Sequence, residues 1–200
     1  MNRKMLLTSA FAVCALFSVC AQEGNLIKSG DFENLPPVNE AKVKQFQAKG
    51  IKIDRDPVVL IPGWFNKKEK PPKITLIEAK AADDVKSGRY GLKVEAANAH
   101  MYTADSFLPG TYELSFFCKG SGKIFVQTYH YSQNGKYLGS GNTGLIVSPV
   151  KGWKKYAKTV KIGSGKENVA KVRLAFVFVK AAVTLDDISL IPVKETEAKK

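Results

Sequence analysis

The stretch NLIKSGDFEN, residues 25–34, places two acidic residues, Asp31 and Glu33, on either side of a phenylalanine. The stretch VTLDDISL, residues 183–190, carries Asp186 within an apolar run that alternates as a β-strand does. We expect the first and last segments of the folded chain to meet, with these acids at the junction.

Between these two segments, period-two alternation of apolar and polar residues dominates, in short runs rich in Val, Ile, Phe, Tyr and Thr. Gly, Pro, Asn or Ser separate the runs. The predicted strands lie at residues 58–61, 73–79, 90–96, 101–107, 111–119, 123–131, 143–147, 154–162, 171–179 and 184–190. This number of strands with turn signals between them predicts an antiparallel sandwich or a barrel.

One short helix is predicted within this all-β pattern. Asn39 is a suitable N-cap, the following EAKVKQFQAK carries Val43 and Phe46 three residues apart, and Gly50 can end the helix in a left-handed conformation. We expect this helix to lie against the sandwich as an insertion.

The alternation also predicts which side chains share a sheet face. In KIFVQTYHY, residues 123–131, Gln127, Tyr129 and Tyr131 fall on one side and the more apolar set on the other. In VRLAFVFVK, residues 172–180, Arg173 falls on the less core-like side.

The chain begins with a basic segment, a short apolar run and a small residue, Ala21, before Gln22, which is the pattern of a secretory signal peptide. The apolar run is shorter than the roughly 20 residues that span a bilayer. Residues 1–21 are therefore predicted to be removed, and the protein to be secreted, either periplasmic or extracellular. Lipid anchoring through Cys20 is the alternative.

Removal of this segment leaves Cys118 as the remaining cysteine, so no internal disulfide is expected. Residues 22–192 are enough for a single domain with its own core, and residues 193–200 are predicted to be a disordered polar tail. The formal net charge of +13 suits anionic partners. Because the lysines are scattered and the sequence has no nucleic-acid-binding motif, we expect no nucleic-acid partner.

The order of several segments is more informative than any one of them. It runs from NLIKSGDFEN through GW, SGRYGLKVEA, LPGTYELSFFCKG, WKKYAKTVKI and VRLAFVF to VTLDDISL. In this order the chain resembles carbohydrate-binding modules of the family 4/9 type, which have a galactose-binding-like jelly roll. Residues 36–56, which include the predicted helix, depart from the family pattern.

The resemblance implies a two-sheet β-sandwich that binds a glycan. Glycan sites combine flat aromatic side chains with nearby amides, carboxylates or guanidinium groups, and Gln127, Tyr129 and Tyr131 supply both on one strand. Arg173 and Glu113 would join them if their strands are neighbours, and Trp64 would stack at the rim. The alternative is that these aromatic residues are ordinary packing residues of a sheet.

Family members with this arrangement of acids suggest a structural calcium ion. Calcium prefers six to eight oxygen ligands, and Glu33, Asp186 and Asp31 would supply carboxylates, with backbone oxygens from the turn at Ser87 to Arg89. Alternatively, these acids are solvated or bond the terminal loops.

The sequence has no HExxH motif, no P-loop and no correctly spaced nucleophile elbow. We therefore predict a secreted, non-catalytic protein that binds a glycan, for which glycosyl hydrolase activity would be an attribute of neighbouring domains. The alternative is a cell-surface adhesion or assembly protein that uses the same sandwich to bind other proteins.

Overall fold

The computed structural model describes residues 24–56, 58–165 and 167–193. Within these ranges there are one helix and eight strands: α1 (Glu40–Ala48), β1 (Lys52–Ile53), β2 (Leu60–Phe65), β3 (Lys73–Glu78), β4 (Tyr90–Thr103), β5 (Gly110–Tyr131), β6 (Tyr137–Val147), β7 (Lys154–Ile162) and β8 (Lys171–Pro192). The predicted signal peptide, residues 1–21, and the predicted tail beyond Val193 lie outside the described residues. Within the described ranges, no helix has the length and apolarity needed to cross a membrane.

The sandwich is built from three long strands that each contribute to two layers. Layer 1 has the order β1, β3, residues 90–96 of β4, residues 181–192 of β8, residues 110–121 of β5, and β7. Layer 2 has the order β2, residues 98–103 of β4, residues 171–179 of β8, residues 123–131 of β5, and β6. Apart from the two-residue pairing of β1 with β3, all pairs are antiparallel.

The two layers pack face to face on a single apolar core. Phe116 of layer 1 and Phe176 of layer 2 are fully buried, and their ring centroids are 5.4 Å apart. Alternate residues of β5 are buried on both sides of its bend, for example Leu114 in layer 1 and Val126 in layer 2. The predicted all-β antiparallel sandwich with one short inserted helix is confirmed.

The bend between the layers passes through glycines of β5. Gly120 and Gly122 have φ of 129° and 100°, and a Cβ atom at these positions would lie 2.1 Å and 2.3 Å from the carbonyl oxygens of Ala182 and Lys180. The register of β5 against β8 also shifts between Ser121 and Lys123. The sequence stretch KGSGK therefore bends a continuous strand, where the glycines had suggested a break between two strands.

The helix forms where the sequence predicts it. The Asn39 side chain accepts a hydrogen bond from the backbone N–H of Lys42, and Gly50 follows the helix with φ of 87°. Val43 is buried, and Phe46 packs against the core. The insertion is therefore attached to the sandwich by the two residues that the sequence pattern singles out.

The close approach of β5 and β8 at the bend predicts a large effect of Gly120→Ala. The added methyl group would clash with the backbone of Ala182, so we expect the free energy of unfolding in urea to fall by about 3 kcal/mol or more. The control is Gly135→Ala, which also has positive φ but has no atom within 4 Å of the added Cβ. This control should lose only about 1 kcal/mol, and equal losses in the two variants would contradict the prediction.

Candidate functional site

The outer surface of layer 2 carries a group of aromatic side chains, which we call the aromatic face. Its members come from four strands and are all exposed or half-buried: Trp64, His100, Tyr102, Tyr129, Tyr131 and Tyr137. On β4 and β5 they alternate with core residues such as Met101, Thr128 and His130, which are buried. The period of two in these strands therefore separates a core side from an aromatic side.

The central strand of this face, β8, has small outward side chains at its middle, Ala175 and Val177, and this allows the rings of its neighbours to meet above it. Ala175 lies opposite Tyr102 on one side and Gln127 on the other. Above β8, the Tyr102 and Tyr129 rings form an edge-to-face pair with centroids 5.0 Å apart. Nδ1 of His100 is 3.0 Å from the Tyr129 hydroxyl oxygen. The aromatic face is therefore continuous from β4 to β5.

Trp64 extends the aromatic face onto the edge strand β2. The register of β2 against β4 is irregular between Pro62 and Phe65, and Trp64 is 51% exposed. Its ring is 5.1 Å from that of His100, in an edge-on arrangement. A Cβ atom at Gly63 would lie 1.6 Å from the Tyr102 ring, so only glycine accommodates the ring at that place.

Three tyrosines, which we call the tyrosine cluster, form the opposite end of the aromatic face. Tyr137 of β6 is 51% exposed, and its ring centroid is 5.8 Å from that of Tyr129 and 5.9 Å from that of Tyr131. Trp64 and Tyr137, equally exposed, thus lie on the two edge strands of layer 2.

Polar groups accompany the rings. Gln127 lies in β5 between the rows of Phe125 and Tyr129, and Arg173 of β8 lies directly opposite Tyr129. Nη2 of Arg173 donates a hydrogen bond of 2.8 Å to the carbonyl oxygen of Ala104, which holds the guanidinium group at this end of the face.

Burial shifts the pKa values of three rings of the aromatic face in the direction that favours their uncharged forms. It lowers the pKa of His100 and raises the pKa of Tyr102. Burial, together with the neighbouring tyrosines, raises the pKa of Tyr129 to about 12. Because His100 and Tyr129 both stay neutral, their contact is a hydrogen bond between uncharged groups.

The structure places five of the six predicted glycan-binding residues on this face: Trp64, Gln127, Tyr129, Tyr131 and Arg173. The sixth, Glu113, lies elsewhere, so its predicted grouping with them is wrong. Glu113 is on β5 but precedes the bend, and it is exposed on the outer side of layer 1, opposite Thr159 and Ile191. The bend reverses which way the same strand faces, and period-two counting along β5 does not reveal this.

The structure also brings together the acidic residues of the two terminal segments. Backbone hydrogen bonds join Leu26 to Leu190 and Ile188 to Gly30. Glu33 accepts hydrogen bonds at Oε1 from the backbone N–H groups of Arg89 and Tyr90, at 2.7 and 2.8 Å. Hydrogen bonds therefore hold the N-terminal segment against the turn at residues 86–90.

Asp186 is fully buried and bonds to the same turn. Its Oδ2 accepts from the backbone N–H groups of Lys86 and Ser87, and its Oδ1 accepts from that of Asp187. Burial raises the pKa of Asp186 to about 7, although the three N–H donors act in the opposite direction. The side chain of Asp187 accepts from the Ser87 hydroxyl.

These contacts bear on the predicted calcium ligands without testing them. Asp31 accepts from the backbone N–H of Glu33, and the turn presents N–H groups to both Glu33 and Asp186. Ionised carboxylates have about four acceptor sites each, so these bonds leave capacity for a cation. Among the described residues, no group of three or more His, Cys, Asp or Glu side chains could hold a metal ion. Calcium binding stays a prediction.

Sequence reasoning missed His100, Tyr102 and Tyr137. The first two were detectable, because in NAHMYT, residues 98–103, polar and aromatic residues alternate with the buried Ala99, Met101 and Thr103. Tyr137 was not detectable, because the glycines at 139, 141 and 144 make the strand that carries it resemble a loop in the sequence.

Comparisons with known proteins support the fold. No family model and no curated protein matches the chain. An arabinose-bound GH51 α-L-arabinofuranosidase is similar in structure, with a TM-score of 0.53 and 11% identity, over 84% of this chain and 26% of that protein. This chain thus spans about a quarter of that enzyme's length. At such low identity, the similarity concerns the fold alone.

Two carbohydrate-binding modules are also among the similar structures. One is a family 61 module in complex with β-1,4-galactotriose, at 15% identity and a TM-score of 0.44, covering 84% of this chain and 99% of that one. The other is the CBM22-1 xylan-binding domain of Paenibacillus barcinonensis Xyn10C, at 14% identity and a TM-score of 0.45, covering 62% and 83%.

The buried carboxyl group of Asp186 predicts a specific pH dependence of stability. Its pKa is higher in the folded state than the ordinary value of 3.8, so the folded protein binds the proton more tightly. This tighter proton binding stabilises the folded state at pH 4, and the stabilisation is lost as the pH rises to about 7. The free energy of unfolding of the wild type should therefore fall relative to that of Asp186→Asn across this range.

This difference is measured by urea unfolding of both proteins at a series of pH values. Asp187→Asn is the matched control, because Asp187 is the adjacent acid but is only half-buried. The control should keep most of the pH dependence of the wild type, because burial raises the pKa of Asp186 more than the neighbouring charge of Asp187 does. A difference between wild type and Asp186→Asn that does not change with pH would contradict the assignment.

Proposed function

We propose that this chain is a secreted, non-catalytic carbohydrate-binding protein of the family 4/9 module type, and that the aromatic face binds the glycan. The observation that carries this proposal is the continuity of the face, from Trp64 on β2 to Tyr137 on β6. Secretion rests on the predicted signal peptide, and the family type rests on the order of sequence segments.

The aromatic face has the chemistry that pyranose rings require. Sugars present apolar C–H surfaces that stack on aromatic rings, and hydroxyl groups that need hydrogen-bond partners. The rings of Trp64 and Tyr137 are accessible for stacking, while Gln127, Arg173 and the tyrosine hydroxyls supply polar partners.

The dimensions of the face favour an oligosaccharide. Trp64 and Tyr137 lie on strands separated by four strand-to-strand intervals, which corresponds to about 19 Å at the usual spacing of about 4.8 Å. A single sugar ring does not cover this distance. We therefore expect an extended glycan segment that crosses the strands and contacts both ends of the face.

The two tryptophans allow a direct test, because Trp64 lies on the aromatic face and Trp153 does not. Nε1 of Trp153 donates to the carbonyl oxygen of Asp83, and Lys119 lies over its ring, both on the layer 1 side of the protein. In Trp153→Phe, all tryptophan emission comes from Trp64. Titration with a panel of neutral and acidic oligosaccharides of four to six sugars should give a saturable emission change for at least one ligand.

The matched variant is Trp64→Phe, in which emission comes from Trp153 and should not respond to the same ligand. Calorimetry should show that Trp64→Ala binds this ligand about fivefold more weakly, since one aromatic contact contributes about 1 kcal/mol. Trp153→Ala should bind as the wild type does. Binding that is lost in the Trp153 variant and kept in the Trp64 variant would refute the proposed site, and no binding across the panel would refute the proposed function.

We also propose that calcium binds at the junction of the terminal segments, as the family resemblance implies. Glu33 and Asp186 would supply carboxylate oxygens, with Asp31 adjacent, and because no three acidic side chains of the described residues converge on one point, backbone oxygens and water would complete the ligand set. Because such an ion binds the folded form, the melting temperature should be higher in calcium than in EDTA. Identical melting temperatures would remove calcium from the proposal and would leave the glycan site untouched.

A further inference from the structure

The strands of layer 2 contain no acidic residue. None of the five segments, residues 60–65, 98–103, 123–131, 137–147 and 171–179, has an Asp or a Glu at any position. The same segments contain Lys123, Lys171 and Arg173. The strands of layer 1, by contrast, carry carboxylates such as Glu95, Glu113 and Asp186.

The cationic residues of layer 2 are concentrated at the tyrosine cluster. In the register of β5 and β8, Tyr131 lies directly opposite Lys171 and Tyr129 lies directly opposite Arg173. Lys136, in the hairpin between β5 and β6, immediately precedes Tyr137. Opposite residues of an antiparallel pair project from the same side of the sheet, so Lys171 and Arg173 share the outer surface with the tyrosines.

Within the described residues, these cations form no ion pair. In the part of the chain that the structure describes, the ion pairs are Arg89 with Glu78, Lys93 with Glu95, and Lys119 with Asp83. All three belong to the strands of layer 1 and the loop beside it. The positive charge at the tyrosine cluster is therefore available to a ligand.

This distribution of charge limits which glycans suit the face. A neutral sugar presents many hydroxyl donors, and ionised carboxylates are the strongest side-chain acceptors for them. The strands of the face lack these acceptors and instead offer charged donors. A ligand that is rich in acceptors complements such a surface.

We propose that the aromatic face binds an acidic glycan, in which uronic acid carboxylates meet Lys171 and Arg173 while sugar rings stack on the tyrosine cluster. This proposal rests on the proposed function and specifies its substrate class. The planar guanidinium group suits a carboxylate, and its bond to Ala104 fixes its position before the ligand arrives. Lys171 is exposed at the strand end and adds an accessible charge.

The test compares acidic polysaccharides with their own carboxyl-reduced forms, so that only the charge differs. Polygalacturonate, alginate and glucuronoxylan, each with its reduced form, are assayed by affinity electrophoresis at low salt. At least one acidic polysaccharide should bind about tenfold more tightly than its reduced form. Dextran sulfate, which carries sulfate groups but no uronic acid, serves as a sulfated arm and should bind more weakly than that polysaccharide.

Lys171→Glu should weaken this binding about fivefold, because it replaces an attractive charge with a repulsive one at the ligand. The matched control is Lys161→Glu, which changes the net charge equally but lies on the exposed edge strand β7 of layer 1. Arg173→Gln gives a second variant at the site, checked for folding by circular dichroism.

Each failure has a distinct meaning. Equal binding of every acidic polysaccharide and its reduced form would overturn the acidic-glycan proposal and leave glycan binding in place. Equal weakening by Lys171→Glu and Lys161→Glu, or binding to dextran sulfate that matches the uronates, would also overturn it, since either result indicates a general attraction to polyanions. No binding to either form of any polysaccharide would count against the proposed function itself.

Discussion

The pairing of β5 with β8 is the interaction on which the rest of the structure depends. The two strands stay paired from Tyr112 and Pro192 in layer 1 to Tyr131 and Lys171 in layer 2. Because the pair bends at Gly120 and Gly122, one two-stranded antiparallel ribbon supplies the centre of both layers and positions Phe116 against Phe176. Every other strand except β1, β2 and β3 pairs directly with one of these two. The core and the aromatic face are therefore opposite sides of the same ribbon.

The two layers use their outer surfaces differently. Layer 1 is joined to the N-terminal segment and to the turn at residues 86–90, and several of its carboxylates are engaged by backbone N–H groups or by lysine and arginine, among them Asp186, Glu78 and Glu95. Layer 2 has small residues at its centre, Ala175 and Val177, and rings that lean over them from both sides. This arrangement exposes aromatic surface while the strand backbones beneath it remain fully paired.

Much of this fold could be predicted from local patterns in the sequence. The helix between Asn39 and Gly50 follows from its caps, and alternation correctly places Gln127, Tyr129 and Tyr131 away from the core. The bend could not be predicted in the same way, since a glycine signals a turn and a bent strand equally well. As a result, the sequence pattern predicts two strands where the structure has β5 alone, and it groups Glu113 with residues on the opposite surface. Which strands become neighbours is decided by packing between distant segments, and local periodicity carries no information about it.

The position of the charges follows from the same architecture. A carboxylate on the layer 1 side of the protein can reach the backbone N–H groups of the turn at residues 86–90, as those of Asp186 and Glu33 do, and is stabilised there. The outer side of layer 2 has no such covering segment among the described residues. A carboxylate there would lie beside tyrosine rings, where burial disfavours a negative charge, as the raised pKa of Tyr129 indicates. Arginine tolerates this setting better, because its planar group packs beside a ring and keeps its charge. The bare, aromatic and cationic character of layer 2 is thus a single consequence of leaving one side of the central ribbon uncovered.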